Sequence, residues 1–245
     1  MRVLVVYAHP NPASFTHAVL QQVERGLADG GHTVEVIDLY AIGFNPVFTA
    51  HDLTQFVHHT VPREMFDAAE LQAAVIRSAR NPLRRLMAKR WVRGKGVDEM
   101  VRLFEENQPA DVRAQQARVA KADGLIFVAP VFWMGFPAIL KGWMERVFAY
   151  GFAYTLTREG WNGHLEGRVP LLTQEKGLII TPTFFGEEEY DTGWRDAMDA
   201  VLCEWGLKMA GVKEARHVYL YAVVAADAAT RQRYLQTAYE LGRDF

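Results

Sequence analysis

Cysteine is nearly absent: Cys203 is the one such residue in 245. A lone cysteine excludes an internal disulfide framework and a cysteine-based zinc site, and it fits a reducing compartment. Long apolar runs are missing as well. No stretch approaches the ~18 apolar residues of a membrane span, and the apolar run within MRVLVVYAHPNP is too short for the hydrophobic region of a signal peptide. Neither sign of charge dominates, since 27 Lys and Arg face 29 Asp and Glu for a net charge of −2. That balance gives no overall pull toward nucleic acid or an anionic membrane. The loop after the first apolar run carries no glycine fingerprint, which excludes both a GxGxxG dinucleotide loop and a P-loop there. A cytoplasmic protein is expected, without metal, nucleic-acid partner or membrane association. With half its residues hydrophobic and 23% charged, the chain has the composition of one sizeable globular α/β domain spanning residues 1–245.

The stretch that organises the chain is DGLIFVAPVFWMGFPAILKGWMERVFAYGFAY, residues 123–154. Leu125, Ile126, Phe127 and Val128 form an apolar run of the length of a strand buried on both faces. Ala129 and Pro130 stop it. An aromatic-rich turn follows, and Pro137 is placed to open a helix as its first residue. From there Ile139, Leu140, Trp143, Met144 and Val147 recur at helical spacing. A turn between strand and helix at the carboxyl edge of a parallel sheet is where open α/β folds bind ligands. Its large flat side chains suit a planar aromatic ring better than a bare phosphate. The residue pattern alone leaves Phe132, Trp133 and Phe136 equally open to a reading as core or interface aromatics.

Residues 2–7 (RVLVVY) read as the first buried strand, broken by Ala8-His9-Pro10-Asn11-Pro12, with Ser14 as the N-cap of a helix to about Leu27. Strand, short loop and helix start make an anion-binding arrangement. Residues 33–39 give the second strand, 110–122 the helix entering the central strand, and 176–181 the fourth strand. Residues 191–209 give an amphipathic helix, 218–224 the fifth strand and 226–242 the last helix. Asp38 and His164 read as structural or surface residues.

PVFWMGFPAILKGWMERVF, followed by FAY, resembles the central signature of the flavin-dependent NAD(P)H:quinone reductases, a family of flavodoxin-like fold. The resemblance covers roughly residues 1–53 and 110–245. It implies a doubly wound five-stranded parallel sheet of order 2-1-3-4-5, with a helical insertion before strand 3 at about residues 55–109. It implies that Pro130, Val131, Phe132, Trp133 and Met134 line the flavin ring. His9, Ser14 and Phe15 match the family's alanine-histidine and serine-phenylalanine loop, which takes the pyrophosphate and adenosine side of FAD. Thr16 and Ala18 fall on further contact positions, and Arg231 and Leu235 match the adenosine end. In the loop after strand four, Thr181, Thr183, Phe184 and Gly186 are the expected contacts, with Phe184 standing where the family has glycine. A gapless comparison places Glu189, beside Tyr190, at the family's catalytic tyrosine and Arg195 at its catalytic histidine. Arg195, Tyr190 and Trp133 are therefore the expected catalytic residues, Arg195 acting through a permanent charge; the alternative is a surface Arg195 paired with Glu187, Glu188 or Asp191.

The function implied is two-electron hydride transfer from NAD(P)H through FAD, with FMN as the alternative, to a quinone or similar acceptor, in a homodimer. Two other readings share the fold: a flavodoxin-like ancillary subunit of a membrane transport system, and an FMN-dependent azo- or nitroreductase. Residues 71–97 contain no Asp or Glu but eight Arg and Lys, interleaved with Leu83, Leu86, Met87 and Trp91. A solvated face, an anion- or membrane-binding patch and an active-site lid compete there; the lid is the expectation, because both ends of the insertion meet the scaffold that carries the aromatic turn.

Overall fold

A computed structural model describes residues Met1–Phe245. Its elements in chain order are β1 (Arg2–Tyr7), α1 (Phe15–Asp29), β2 (Thr33–Asp38), α2 (Ala68–Ser78), α3 (Pro82–Val92), α4 (Val97–Glu106), α5 (Ala110–Val119), β3 (Gly124–Val128) and α6 (Ala138–Val147). There follow β4 (Tyr154–Leu156), α7 (Arg158–Trp161), β5 (Arg168–Pro170), β6 (Lys176–Pro182), α8 (Glu187–Tyr190), α9 (Trp194–Asp199), β7 (Glu214–Leu220) and α10 (Ala228–Arg243). No helix is long and apolar enough to cross a membrane.

Five strands form one parallel sheet in the order β2-β1-β3-β6-β7, and β4 and β5 form a separate antiparallel hairpin. Setting the hairpin aside, this is the expected 2-1-3-4-5 order. Continuous apolar runs in β1, β3 and β6 follow from burial on both faces. Leu4, Val6, Leu125, Phe127 and Ile179 point to one core layer with Leu140, Trp143 and Leu207. Val3, Val5, Ile126, Val128 and Ile180 point to the other, with Val19, Val23 and Ala238. On that second face α1 and α10 approach through paired glycines: a Cβ on Gly26 would lie 2.0 Å from the Tyr239 carbonyl oxygen, and one on Gly242 would lie 2.4 Å from that of Val23.

Three expectations shift. Pro137 caps α6 instead of opening it. The fifth strand runs Glu214–Leu220, earlier than the apolar run at 218–224, because it is an edge strand whose first half alternates polar residues and pairs Lys176 with Glu214 through Pro182 with Leu220. The helix expected at 191–209 is broken: Gly193 at φ 106° starts α9, which passes into a π-helix at Ala200–Leu207. Residues 158–170 hold α7 and β5.

The insertion has a small core of its own in Leu71, Val92, Met100 and Phe104. Leu83, Leu86, Met87 and Trp91 of α3 remain exposed. Its base is fixed by Arg146, which is 5% exposed and bonds Asp52 at 2.7 Å, Asp111 at 2.6 Å and the Asn45 carbonyl at 2.8 Å. Asp52 is itself 3% exposed. Removing one partner of a buried pair strands the other's charge, which costs about 3–5 kcal/mol. Arg146→Met should therefore lower the unfolding free energy by about that amount in urea titrations, while a loss near that of an exposed pair, below about 1 kcal/mol, would show that water reaches Asp52.

Candidate functional site

Three loops meet at the carboxyl edge of neighbouring strands, because Tyr7 is in register with Val128 and Val128 with Ile180. They are the loop before α1, the aromatic turn after β3 and the loop after β6. His9 and Phe132 lie with ring centroids 6.3 Å apart, so the first two loops touch. A cavity of about 460 Å³ lined by Lys176, Glu214 and Phe245 lies at the opposite, amino-terminal edge and takes no part.

The turn is held in an uncommon shape. Phe132 N–H donates to Gly135 at 2.9 Å and Gly135 N–H returns to Phe132 at 3.3 Å, leaving Trp133 and Met134 as its central pair. Both carry positive φ, 45° and 67°, a left-handed backbone that costs side-chain-bearing residues roughly 1–2 kcal/mol each. The result is exposure: Trp133 is 98% and Met134 58% exposed. The N–H groups of Val131, Trp133 and Met134 donate to nothing within the chain. Strain persisting in such a turn points to a role beyond folding.

At the first loop, Ser14 caps α1 by accepting the His17 N–H at 3.1 Å, and the first turn holds no acidic residue. The N–H groups of Phe15 and Thr16 have no partner within the chain. Nearby, the Tyr7 hydroxyl and His17 Nδ1 are buried without hydrogen bonds, their rings 5.7 Å apart. Burial lowers the pKa of His9, whose Nδ1 accepts the Asn11 N–H at 3.0 Å, so the ring favours its neutral form.

The expected site residues divide. His9, Ser14, Phe15, Ala18, Val131, Phe132, Trp133, Met134, Phe184 and Gly186 are at least partly open around this edge, whereas Thr16, Pro130, Thr181 and Thr183 are buried. The Thr181 hydroxyl lies 2.9 Å from His217 Nε2, and that of Thr183 donates to the Phe185 carbonyl at 2.8 Å. These two hydroxyls are thus engaged inside the protein. Tyr190 is also turned inward, 1% exposed and stacked on Trp194 at 4.3 Å, and burial pushes its hydroxyl up to about 12. Direct catalysis by Tyr190 does not fit that placement. Arg195 bonds Glu187 at 3.1 Å and Asp191 at 2.7 Å, so its charge is largely met by its own neighbours. Arg231 donates to the Val223 and Val224 carbonyls at 3.1 and 3.0 Å, and Leu235 packs beside the second core layer. The insertion's side-chain hydrogen bonds and ion pairs with the rest of the chain run to His51, Asp52, Arg113, Tyr150, Thr155 and Arg158, and none reaches the aromatic turn. The expected lid contact is therefore absent within the chain.

Sequence reading missed a buried network behind the third loop. His217, with a fully buried side chain, sits 2.9 Å from Asp199, which also accepts the Tyr219 hydroxyl at 2.7 Å. The alternation of His217, Tyr219 and Tyr221 along one strand face could have signalled it. Placing the fifth strand at 218 left His217 outside.

Residues 1–241 match the family described as Flavodoxin-like fold. Ribosyldihydronicotinamide dehydrogenase [quinone] of Pongo abelii is 31% identical over 176 residues, which cover 72% of this chain and 63% of that relative's length. The structure of an NAD(P)H:quinone oxidoreductase from Methanothermobacter marburgensis superposes with a TM-score of 0.69 at 27% identity, covering 100% of this chain and 95% of that one. An FMN-dependent NADH-azoreductase from Bacillus anthracis, solved with FMN, reaches a TM-score of 0.63 at 16% identity over 100% of this chain and 97% of its own, a likeness of fold alone.

Two outcomes follow. Met134→Gly should relieve the left-handed backbone and raise the unfolding free energy by about 1 kcal/mol in urea; a destabilised variant would show that Met134 packs where the structure leaves it exposed. Burial, outweighing the pull of Asp199, lowers the folded-state pKa of His217 below its ordinary 6.5. The unfolded chain then takes up the proton first on acidification. Stability from this residue is complete above about 6.5 and declines as pH falls toward the lower folded value. His217→Gln should flatten the stability-versus-pH curve below 6.5, and an unchanged slope would place that proton uptake elsewhere.

Proposed function

The chain belongs to the flavodoxin-like fold family, and from that premise we propose that it is a flavoprotein oxidoreductase passing hydride from NAD(P)H through a bound flavin to a quinone-like acceptor. The observation that carries this reading is the turn at Phe132–Gly135. Strained backbone there presents an exposed Trp133 and a row of unpartnered N–H donors at a sheet edge. Such donors fit the acceptor-rich rim of a planar heteroaromatic ring, and the exposed aromatics Phe132, Trp133, Phe184 and Phe185 supply apolar walls. The unpartnered N–H groups at the start of α1, with Tyr7 and His17 beside them, fit a pyrophosphate. The residues present therefore suit the group.

A bound flavin supplies the hydride chemistry, and the protein supplies binding, orientation and electrostatics. Val131, Trp133 and Met134 N–H groups would hold the polar rim and favour negative charge gathering there on reduction. Phe184, in place of a glycine, would narrow the approach to the ring with its own ring. Arg231 shapes the loop at Val223 and Val224 that would flank the adenosine, which, with the α1 start, supports FAD over FMN. Arg195, already paired with Glu187 and Asp191, would contribute a compensated charge at most and so act mainly in positioning α8 against α9. Exposed Leu165, Leu171, Val201 and Trp205 give apolar surface suited to a second copy of the chain.

Acid extraction of the purified protein should release FAD, and the loaded protein should oxidise NAD(P)H in the presence of a quinone panel. Trp133→Ala should weaken flavin binding by about 1–3 kcal/mol, the range for losing a large apolar contact. FMN alone on extraction would overturn the FAD assignment. A flavin-loaded protein that ignores every NAD(P)H and acceptor pair would favour an ancillary role over catalysis.

A further inference from the structure

Away from the aromatic turn, the start of the insertion, its last helix and the segment after α6 converge on two histidines and a carboxylate. We propose that His58, His59 and Glu105 bind one divalent transition-metal ion of the zinc class, with a remaining coordination position open to the adjoining cavity. One ligand atom from each of the three lies within 4.8 Å of the other two. Glu105 Oε1 is 3.5 Å from His58 Nε2 and 2.7 Å from His59 Nδ1. Ligands about 2.0–2.1 Å from a tetrahedral zinc stand roughly 3.3 Å from one another. The first spacing already matches that, and the second is a hydrogen bond that opens by roughly half an ångström when the metal replaces its proton.

A plain ion pair between histidines and a glutamate is the competing reading. It leaves the surroundings of His58 unexplained. The Nδ1 of His58, the nitrogen turned away from Glu105, lies 2.9 Å from the Thr60 hydroxyl. That hydroxyl is in turn 3.0 Å from both the Tyr150 and Thr155 hydroxyls. The Thr60 backbone N–H also donates to the His58 Nδ1 at 3.3 Å. Outer contacts on the far nitrogen hold the ring orientation of a metal-binding histidine and leave Nε2 turned toward the ligand position. The ring is tilted against His59 with centroids 4.2 Å apart and stands edge-on to Tyr150 at 5.8 Å. Gly151 keeps Nε2 uncovered: a Cβ there would lie 2.6 Å from that atom, and its φ of +79° also favours glycine.

The donor set narrows the ion. Two imidazoles and one carboxylate suit Zn²⁺, Co²⁺, Ni²⁺ or Cu²⁺, whereas Mg²⁺ and Ca²⁺ prefer oxygen ligands throughout. The open position faces a cavity of about 300 Å³ in which Gln108 and Gln116 offer amides, leaving room for water or a small anion. Because the three ligands come from the entry to the insertion and from α4 at its exit, an ion there would fasten both ends together. Sequence reading expected no metal, since His58 and His59 are 46 or more residues from their carboxylate partner and no short-range spacing links them.

The test uses tag-free, flavin-loaded, full-length protein stripped with a chelator and titrated with Zn²⁺ alone in competition with a chromophoric chelator. One equivalent per chain should bind, and Co²⁺ in its place should give the intense visible bands of tetrahedral coordination. His59→Ala and Glu105→Gln should each abolish the stoichiometric site while flavin content stays unchanged. Thr60→Val, which leaves all three ligands, should weaken binding by about 10–100-fold. His164→Ala, which removes the exposed histidine near Glu166, should change nothing. His59 is largely exposed, so His59→Gln serves if the alanine variant unfolds. Less than one equivalent bound, a six-coordinate Co²⁺ spectrum, or affinity indifferent to His59 and Glu105 would overturn the site.

Discussion

The guanidinium of Arg146 is the contact on which the arrangement of the chain turns. It is a charge taken almost wholly out of water, and such a charge persists only where hydrogen bonds and counter-charges meet it on several sides. Here Asp52 stands at the entry to the insertion, Asp111 at the start of α5 beyond its exit, and Asn45 on the path leading out of β2. The Phe44 ring lies 5.4 Å from the guanidinium carbon. The stretch from Phe44 to Asp52 and the start of α5 are thereby set against α6, the helix that follows the aromatic turn directly. Nearly sixty residues can be inserted before β3 without disturbing that turn because their two ends are clamped on one residue.

Freed from the insertion, the carboxyl edge of the sheet can carry strain. Trp133 and Met134 adopt a left-handed backbone that glycine would take at lower cost. The return is an indole held clear of the protein and N–H groups with no internal partner. The core beneath is already closed by its own aromatics, Phe127 meeting Phe136 at 6.3 Å and Trp143 at 6.2 Å. The stacked Tyr190 and Trp194, by contrast, are spent on packing. Of the two neighbouring aromatic clusters, one builds the floor and the other faces outward.

Much of this was legible beforehand. Buried parallel strands announce themselves as unbroken apolar runs, as β1, β3 and β6 do, and the strand-turn-helix around Pro130 and Pro137 needs only local rules. The signature about Gly135 and Trp143 then identified the family. Residues fixed by distant pairing were harder to read. The first half of β7 is polar because it lies at an edge, so its register came from pairing with β6 and not from hydropathy. Thr181 matched a family contact by position and Thr183 was expected beside it, yet their hydroxyls are claimed by His217 and by the Phe185 carbonyl. No spacing rule connects residues 181, 199 and 217, or 58 with 105. Arg195 was legible both as a position and, in the alternative reading, as a partner of nearby acids, and Glu187 and Asp191 are the ones it meets.

The loop after β6 shows how one substitution type can redistribute roles. Where glycines would let backbone approach a ring closely, Phe184 and Phe185 instead place side chains, and they meet edge to face at 5.2 Å. Phe185 reaches back to Trp194 at 6.1 Å, and its carbonyl accepts both the Thr183 hydroxyl and the Ala222 N–H. Phe184 is left the more exposed of the pair. The backbone that glycines would have kept pliable is therefore anchored from behind by the aromatic stack and from the side by β7. Anchoring fixes the outward ring as a wall instead of a flap. Trp133 and Phe184 are both exposed aromatics of the loops at this edge, one presented by a strained turn and the other by an anchored backbone.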